Sequence, residues 1–191
     1  YFTSYINQIK ICHCEANLVR AKEENDFCMT AEDIEAAINN RTRMLLINTP
    51  CNPTGAEIPE EELEKIAKIA VKHDLVVISD EVYNTIRYTD KPFVSIATMP
   101  GMAERTIVIN AFSKAYAMPG WRLGYAIGPA ELISMMPKTH DVTVACVNAP
   151  FQYAGAYALK NCDDQVIEMR EKFRRRKDLI VSGINAIPGL S

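Results

Sequence analysis

Two apolar strands on either side of an amphipathic helix constrain the fold of this chain more than any other feature. Residues 43–49 and 75–79 have near-continuous apolar centres, the pattern of strands that are covered on both faces. Between them, a helix that begins near Pro59 has apolar residues at positions 63, 66, 67, 70 and 71, which form one helix face. Such a strand–helix–strand unit is parallel and right-handed. It predicts an α/β fold with a mostly parallel sheet.

Further short elements precede and follow this unit. We predict strands at residues 16–20, 106–109 and 123–127, because each is an apolar run. Helices are predicted at residues 5–11, 130–137 and 148–159, with a long amphipathic helix from Asp163. Thr30 and Asp33 resemble a capping box, with Asp in place of the usual Glu, and predict the start of another helix. Alternating strands and helices support the α/β class.

The composition limits which partners the protein can have. The 191 residues are 48% hydrophobic and 24% charged, which is typical of a globular chain with one sizeable core. The net charge is −3 and no basic run is longer than residues 174–177, which argues against nucleic acid as the main partner. No apolar run is long enough to span a membrane, and no signal-peptide pattern opens the chain.

The cysteines indicate a compartment and argue against a metal site. Six are scattered along the chain, which suits a reducing cytosol, so we predict a cytoplasmic protein. Only Cys12 and Cys14 are close in sequence, and a C-x-C pair alone lacks the second half of a zinc site. We therefore predict no bound metal.

A lysine with reactive character lies at the end of a predicted strand. Lys114 follows the strand at residues 106–109, where open α/β sheets bind their ligands, and we place it on a loop. Its neighbours Ser113, Ala115 and Tyr116 give it a less polar setting than a solvated lysine has, which favours Schiff-base chemistry. The alternative is an ordinary surface lysine on a turn.

Two other predicted strands also end in polar loops. Asp80 and Tyr83 follow the strand at residues 75–79 in the pattern D-E-x-Y, and a carboxylate there can point into a ligand crevice. The stretch Asn52-Pro53-Thr54-Gly55 follows the strand at residues 43–49. Each has a structural alternative, because an aspartate can cap a helix and N-P-T-G is a good turn on its own.

Together these patterns resemble the class I/II, fold type I family of pyridoxal-phosphate-dependent aminotransferases. The matching positions around the lysine are Ser113, Lys114, Ala117, Met118, Gly120, Arg122, Leu123 and Gly124. N-P-T-G, D-E-x-Y and S-K with R-x-G follow in the family's order, and the resemblance covers nearly the whole chain. One position departs: where the family has Ser or Gly three residues before the lysine, this chain has Ala111.

The resemblance implies a fold and a set of roles. The fold is a three-layer αβα sandwich with a mostly parallel sheet. Pyridoxal 5'-phosphate is held by Lys114 as a Schiff base, and the freed amine then moves a proton during transfer of an amino group between an amino acid and a 2-keto acid. Asp80 pairs with the pyridine nitrogen and keeps it protonated, which strengthens the ring as an electron sink.

The remaining implied contacts surround the cofactor. Asn52 and Tyr83 are implied to bind the ring oxygen, and Arg122 is implied to grip the phosphate through paired hydrogen bonds. Ser113 or upstream groups compensate for the hydroxyl that Ala111 lacks. Phe2, before the Ser4-Tyr5 pair, matches the aromatic that stacks on the cofactor ring in relatives, although a core phenylalanine is the alternative.

The resemblance also implies how the chain is organised. Residues 1–162 correspond to part of the cofactor-binding large domain, and residues 163–191 to a long helix leading into a small domain. Because the chain begins at Tyr1 rather than methionine and both ends read as interior sequence, we expect a piece of a longer homodimeric protein, truncated at both ends and inactive as it stands. We also expect Phe173, Leu179 and Ile180 to be exposed or paired with another chain.

Two other functions stay open at this point. A carbon–sulfur β-lyase of the same fold type uses the same parts, and an assay for keto acid with and without an amino acceptor separates the two. Such domains also serve as effector-binding parts of transcription regulators, which requires a DNA-binding domain upstream.

Overall fold

The computed structural model describes residues 2–190 and consists of short helices and strands around one sheet. In chain order, the elements are α1 (Ser4–Ile11), α2 (Ala31–Ala37), β1 (Met44–Asn48), α3 (Glu60–Lys72), β2 (Val76–Asp80), β3 (Thr106–Ala111), α4 (Phe112–Ala115), β4 (Gly124–Ile127), α5 (Ala130–Ile133), α6 (Met136–Val144), α7 (Ala149–Asn161) and α8 (Asp163–Asn185). Among residues 2–190, no helix is both long enough and apolar enough to cross a membrane.

The sheet has four strands in the order β1-β2-β3-β4. β1, β2 and β3 run parallel, with Asn48 level with Asp80, and Asp80 level with Ile109. β4 runs antiparallel to β3, because α4 and the 3₁₀ turn at Pro119–Trp121 turn the chain back instead of crossing the sheet. The predicted α/β class with a mostly parallel sheet is confirmed, and the parallel strands end together at one edge.

The main core lies between the sheet and the helices α2 and α3. Most of the stripe predicted on α3 is buried there, with Leu63 and Ile66 at 1% and 0% exposure, against Ile47 of β1 and Val77 of β2. Its last residue, Val71, is 42% exposed, so the stripe ends at residue 70. Each aliphatic side chain buried in this way contributes about 1.5–3 kcal/mol. A second cluster of Phe112, Leu123 and Ala158 joins α7 to the end of β3. Both clusters support the strand ends that carry the predicted polar residues.

Several predicted boundaries hold and some are wrong. Thr30 caps α2 as predicted, since its Oγ1 accepts a hydrogen bond from the Asp33 amide at 3.2 Å. Residues 16–20 form no strand, because they pair with no neighbour and are almost entirely exposed. Lys114 lies within the short helix α4 rather than on a loop. The helix expected to begin near Pro59 is α3, and Pro59 is its N-cap.

The predicted helix at residues 130–137 is two helices. α5 ends at Ile133 and α6 begins at Met136, with Pro137 in its first turn. Proline suits a first helical turn because the missing N–H has no partner there. Pro137 therefore opens a helix instead of ending one.

The long helix predicted from Asp163 is confirmed as α8, which covers 23 residues. Its end towards α7 is anchored by Val166, which is buried. Phe173, Leu179 and Ile180 are 37%, 73% and 58% exposed, so this helix carries uncovered apolar surface along most of its length, as expected.

Candidate active site

A cleft of about 850 Å³ lies at the carboxyl ends of the parallel strands. The loops that follow β1 and β2 reach it together with α4, which follows β3, as the α/β topology requires. Four predicted site residues line it: Asn52, Tyr83, Ser113 and Lys114. The cleft thus brings together polar side chains that are up to 62 residues apart in sequence, from Asn52 to Lys114.

The lysine faces an aromatic ring in this cleft. Lys114 Nζ lies 5.6 Å from the centre of the Tyr83 ring, within the range of an attraction between an ammonium group and an aromatic ring. The Lys114 side chain is exposed, so it is accessible to a ligand, in a more open setting than its sequence neighbours indicate. Asn52 Nδ2 donates to the Tyr83 hydroxyl at 3.5 Å, at the limit of a hydrogen bond.

Asp80 ends β2 and is held at both carboxylate oxygens. The Tyr5 hydroxyl donates a hydrogen bond to Asp80 Oδ2, and the Val82 amide donates to Oδ1 at 3.2 Å. Burial, followed by this contact with Asp80, raises the pKa of the Tyr5 hydroxyl well above its ordinary value of 10.0. Tyr5 therefore stays protonated and serves as a hydrogen-bond donor to the carboxylate.

A buried asparagine fixes the loop that carries Asn52. Asn48 is 7% exposed at the end of β1 and accepts a hydrogen bond from the Asn52 amide at 2.9 Å. Its Nδ2 donates to the backbone carbonyls of Asp80 at 3.1 Å and Pro50 at 3.3 Å. One side chain therefore joins the strand ends of β1 and β2 to the N-P-T-G turn.

The carboxylate next to Asp80 points away from the cleft into the protein. Glu81 is 3% exposed and accepts hydrogen bonds from the hydroxyls of Ser79 at 2.8 Å and Ser95 at 2.5 Å. Burial raises the pKa of the Glu81 carboxyl, against the opposing effect of the two serine hydroxyls. The neighbouring acids Asp80 and Glu81 thus have different surroundings.

The structure places the other predicted residues outside the cleft lining. Arg122 is exposed, and its Nη1 donates to the Pro119 carbonyl at 2.9 Å. Phe2 is 44% exposed and meets the Tyr5 ring edge-on at 5.8 Å between ring centres. Asp80 also lies outside the lining, and its carboxylate contacts Tyr5. Ala111 ends β3 and offers no hydroxyl.

The sequence analysis did not assign roles to Tyr5, Asn48 or Glu81. Tyr5 was only a landmark for Phe2, and its bond to Asp80 joins positions 75 residues apart. Asn48 and Glu81 carry a usable signal, since an amide and an acid at the ends of apolar runs need buried partners. Such residues predict hydrogen-bonded anchors even where their partners are unknown.

Comparisons with known proteins show the family and the fold to which the chain is similar. The family described as "Aminotransferase class I and II" matches residues 1–191. The aspartate aminotransferase of Musicola paradisiaca (strain Ech703) is 40% identical over 189 residues, which are 99% of this chain and 47% of that protein.

Two solved structures have the same fold over nearly the whole chain. The aspartate aminotransferase from Rhizobium meliloti aligns with a TM-score of 0.94 at 39% identity, over 99% of this chain and 48% of that one. The aromatic aminotransferase from Pyrococcus horikoshii OT3 aligns with a TM-score of 0.92 at 41% identity, over 96% of this chain and 50% of that one. The chain spans about half the length of the relatives it matches. It belongs to the class I and II aminotransferase family.

Proposed function

We propose that this chain forms part of a pyridoxal-phosphate-dependent aminotransferase, which moves an amino group between an amino acid and a 2-keto acid. The observation that carries the proposal is the position of Lys114 Nζ, 5.6 Å from the Tyr83 ring centre in a cleft that Asn52 also lines. A primary amine, a phenol and an amide at the ends of parallel strands suit an aromatic aldehyde with a ring oxygen. Family membership supports the same reaction class.

The chemistry of the side chains fits pyridoxal phosphate at its ring end. Of the residues that line the cleft, Lys114 supplies the amine for the aldehyde, and Tyr83 and Asn52 supply donors for the ring oxygen. Asp80, which does not line the cleft, is the proposed carboxylate for the pyridine nitrogen. When bound, the cofactor supplies the aldehyde that accepts the amino group and a ring that withdraws electrons from the substrate α-carbon. At the phosphate end, Ser113 offers a hydroxyl and Arg122 a guanidinium.

Asp80 is the proposed partner of the pyridine nitrogen, and its carboxylate is held in place by the protein. A carboxylate beside a pyridine nitrogen favours the protonated nitrogen, because the opposite charges stabilise each other. The Tyr5 hydroxyl and the Val82 amide each bind one carboxylate oxygen, which restricts rotation of the Asp80 side chain. Such a fixed charge stabilises a transition state without reorganising during the reaction.

Lys114 is the proposed proton carrier. Its amine is exposed in the cleft, where it can accept a proton from a substrate α-carbon and return it to a neighbouring carbon. The Tyr83 ring lies beside it, with the ring centre 5.6 Å from Lys114 Nζ. Asn52 and Tyr83 are the proposed donors that orient the ring against this amine.

Arg122 and Phe2 are proposed ligands that must move to reach a cofactor in the cleft. Arg122 binds the phosphate after giving up its hydrogen bond to the Pro119 carbonyl, a bond that an exposed side chain loses at little cost. Phe2 stacks on the cofactor ring after leaving its edge-on contact with Tyr5. Both side chains are exposed.

We further propose that the protein is a cytoplasmic homodimer, with a large-domain part at residues 1–162 and a segment at residues 163–191 that begins with the long helix α8 and leads into a small domain. The six cysteines, all within the described residues, have free thiols, which supports a reducing compartment. Tyr153 and Tyr157 on α7 are 79% and 65% exposed, which leaves aromatic surface for a second subunit.

Borohydride reduction followed by peptide mapping tests the proposed role of Lys114. The intact protein is incubated with pyridoxal phosphate, reduced and digested, and we expect the label on Lys114. The exposed Lys138 of α6 is the control and should remain unlabelled. A label on Lys138 with none on Lys114 would contradict the assignment.

A further inference from the structure

An arginine–carboxylate pair joins the two loops that carry Asn52 and Tyr83. Arg87 Nε donates to Glu57 Oε2 at 2.6 Å, and Arg87 Nη2 donates to Glu57 Oε1 at 2.5 Å. The pair is therefore bidentate, the strongest form of this contact. The two side chains are only 10% and 31% exposed, so solvent and salt screen the pair less than a surface ion pair.

Arg87 also organises the loop to which it belongs. Its third nitrogen, Nη1, donates to the Lys91 carbonyl at 2.7 Å, and the guanidinium lies 5.6 Å from the centre of the Phe93 ring. Ile86 donates its amide to the Tyr83 carbonyl at 2.9 Å, which ties Tyr83 to the turn next to Arg87. The position of Tyr83 is thus connected to the guanidinium through short, local contacts.

Glu57 is connected to Asn52 in the same way. The loop is closed by the Cys51 amide, which donates to the Ala56 carbonyl at 2.8 Å, and by the Gly55 amide, which donates to the Cys51 carbonyl at 2.7 Å. Glu57 follows this closed turn directly and lines the cleft with Asn52. The backbone of Glu57 is therefore directly joined to the turn that carries Asn52.

The direct contact between Asn52 and Tyr83 is weak by comparison. Asn52 Nδ2 and the Tyr83 hydroxyl are 3.5 Å apart, at the limit of a hydrogen bond. We propose that Glu57 and Arg87 are positioning residues, which hold these two side chains at the spacing that the cofactor ring oxygen requires. The identity of the ligand rests on the proposed function, whereas the connection between the two loops does not depend on it.

A second arginine–carboxylate pair provides a matched control. Arg105 Nη1 donates to Asp74 Oδ1 at 2.9 Å, and its Nε donates to the Gly101 carbonyl at 3.0 Å. Asp74 and Arg105 precede β2 and β3, so this pair lies at the amino ends of the strands, away from the cleft. The Arg105 side chain is 17% exposed, close to the value for Arg87. Arg105→Met therefore removes a similar side chain without touching the site.

The test compares Arg87→Met, Glu57→Gln and their double variant with Arg105→Met in the intact protein. Hydrogen–deuterium exchange without cofactor should be about tenfold faster at residues 51–57 and 82–91 in each Glu57 or Arg87 variant, and unchanged in Arg105→Met. The dissociation constant for pyridoxal phosphate should rise about tenfold or more, because small misplacements of positioning groups are costly. The double variant should be no worse than the worse single one.

Arg87→Lys keeps the charge but loses the two-point contact, so it replaces Arg87→Met in the test if that variant does not fold. Exchange in both loops should then lie between that of the unmodified protein and that of Glu57→Gln. Exchange rates in the Glu57 and Arg87 variants equal to those in Arg105→Met would overturn the proposal, as would additive effects in the double variant. If the protein binds no pyridoxal phosphate, the proposed function fails, and the exchange rates still decide whether the pair holds the loops.

Discussion

The Tyr5 hydroxyl donates a hydrogen bond to Asp80 Oδ2, which joins the first helix to the end of the second strand. The two residues are 75 positions apart, so only the folded chain brings them together. Tyr5 is buried, with 9% of its surface exposed, and its bond fixes one of the two Asp80 oxygens. Asp80 therefore depends on α1 for its orientation, and the effect of Tyr5 on catalysis should be transmitted through this carboxylate.

Replacement of Tyr5 and of Asp80 should affect the reaction to different degrees. Asp80→Ala should slow single-turnover proton transfer by about 10²-fold or more, because it removes the fixed charge that we propose as the partner of the pyridine nitrogen. Tyr5→Phe keeps that charge and removes one hydrogen bond to it, so we expect a loss of about tenfold. Cofactor binding should stay measurable in both variants. Equal single-turnover rates in Asp80→Ala and the unmodified protein would show that Asp80 is only structural.

Tyr5 should also make the folded state less stable at alkaline pH. Its pKa is raised by burial and then by Asp80, so the folded state keeps the phenol protonated after the unfolded chain has begun to ionise at about 10. The stability that this group provides is complete below pH 10 and is lost as the pH rises above it. The difference in the free energy of unfolding between the unmodified protein and Tyr5→Phe should fall above pH 10. Tyr153→Phe, at a 79% exposed position, is the control and should show no such trend.

The sequence predicted the parts of the fold that depend on local pattern. Strands β1, β2 and β3 and helix α3 were found because their apolar residues follow the spacing of buried elements. Residues 16–20 have the same local pattern but no strand to pair with, and pairing cannot be read from a single segment.

The candidate site could be predicted only as a set of residues, without their orientations. Motif order named Asn52, Tyr83 and Lys114, which do line one cleft. The sequence did not reveal that Arg122 would turn to the Pro119 carbonyl, because that depends on the backbone at Arg122, where φ is 52°. The pair of Glu57 and Arg87 was missed because its partners are 30 residues apart.

Glu81 should stabilise the folded state most at low pH, whereas a carboxylate paired with a cation stabilises it most at neutral pH. Burial raises its pKa above the ordinary 4.5, so the stability it provides is complete below pH 4.5 and is lost as the pH rises through the folded-state value. Glu81→Gln keeps an oxygen that accepts from Ser79 and Ser95 but removes the titration. The stability advantage of the unmodified protein over Glu81→Gln should therefore shrink as the pH rises from 4 to neutrality in chemical unfolding experiments. An advantage that grows over this range would mean that the buried carboxylate is stabilised as an ion.

Gly155 lies on α7 where this helix packs against Phe112 of α4, the helix that also carries Lys114. A Cβ at this position would lie 2.4 Å from Leu123 Cδ2 and 3.0 Å from Phe112 Cζ, and both side chains are buried. Overpacking of this kind costs about 1–3 kcal/mol. An alanine within a helix gains only about 0.5–1 kcal/mol over glycine, so the clash should dominate and Gly155→Ala should lower the free energy of unfolding.

Gly183→Ala in α8 provides the opposite case, since among residues 2–190 no atom beyond its chain neighbours and the backbone of its own helix lies within 4 Å of the added Cβ. At this position no clash opposes the gain in helix propensity, so the free energy of unfolding should rise by about 0.5–1 kcal/mol. Urea unfolding of both variants measures the two effects on one scale. The shifts should have opposite signs, and a stabilising Gly155→Ala would show that Leu123 and Phe112 can move aside. In that case the packing behind Lys114 would be looser than this structure indicates.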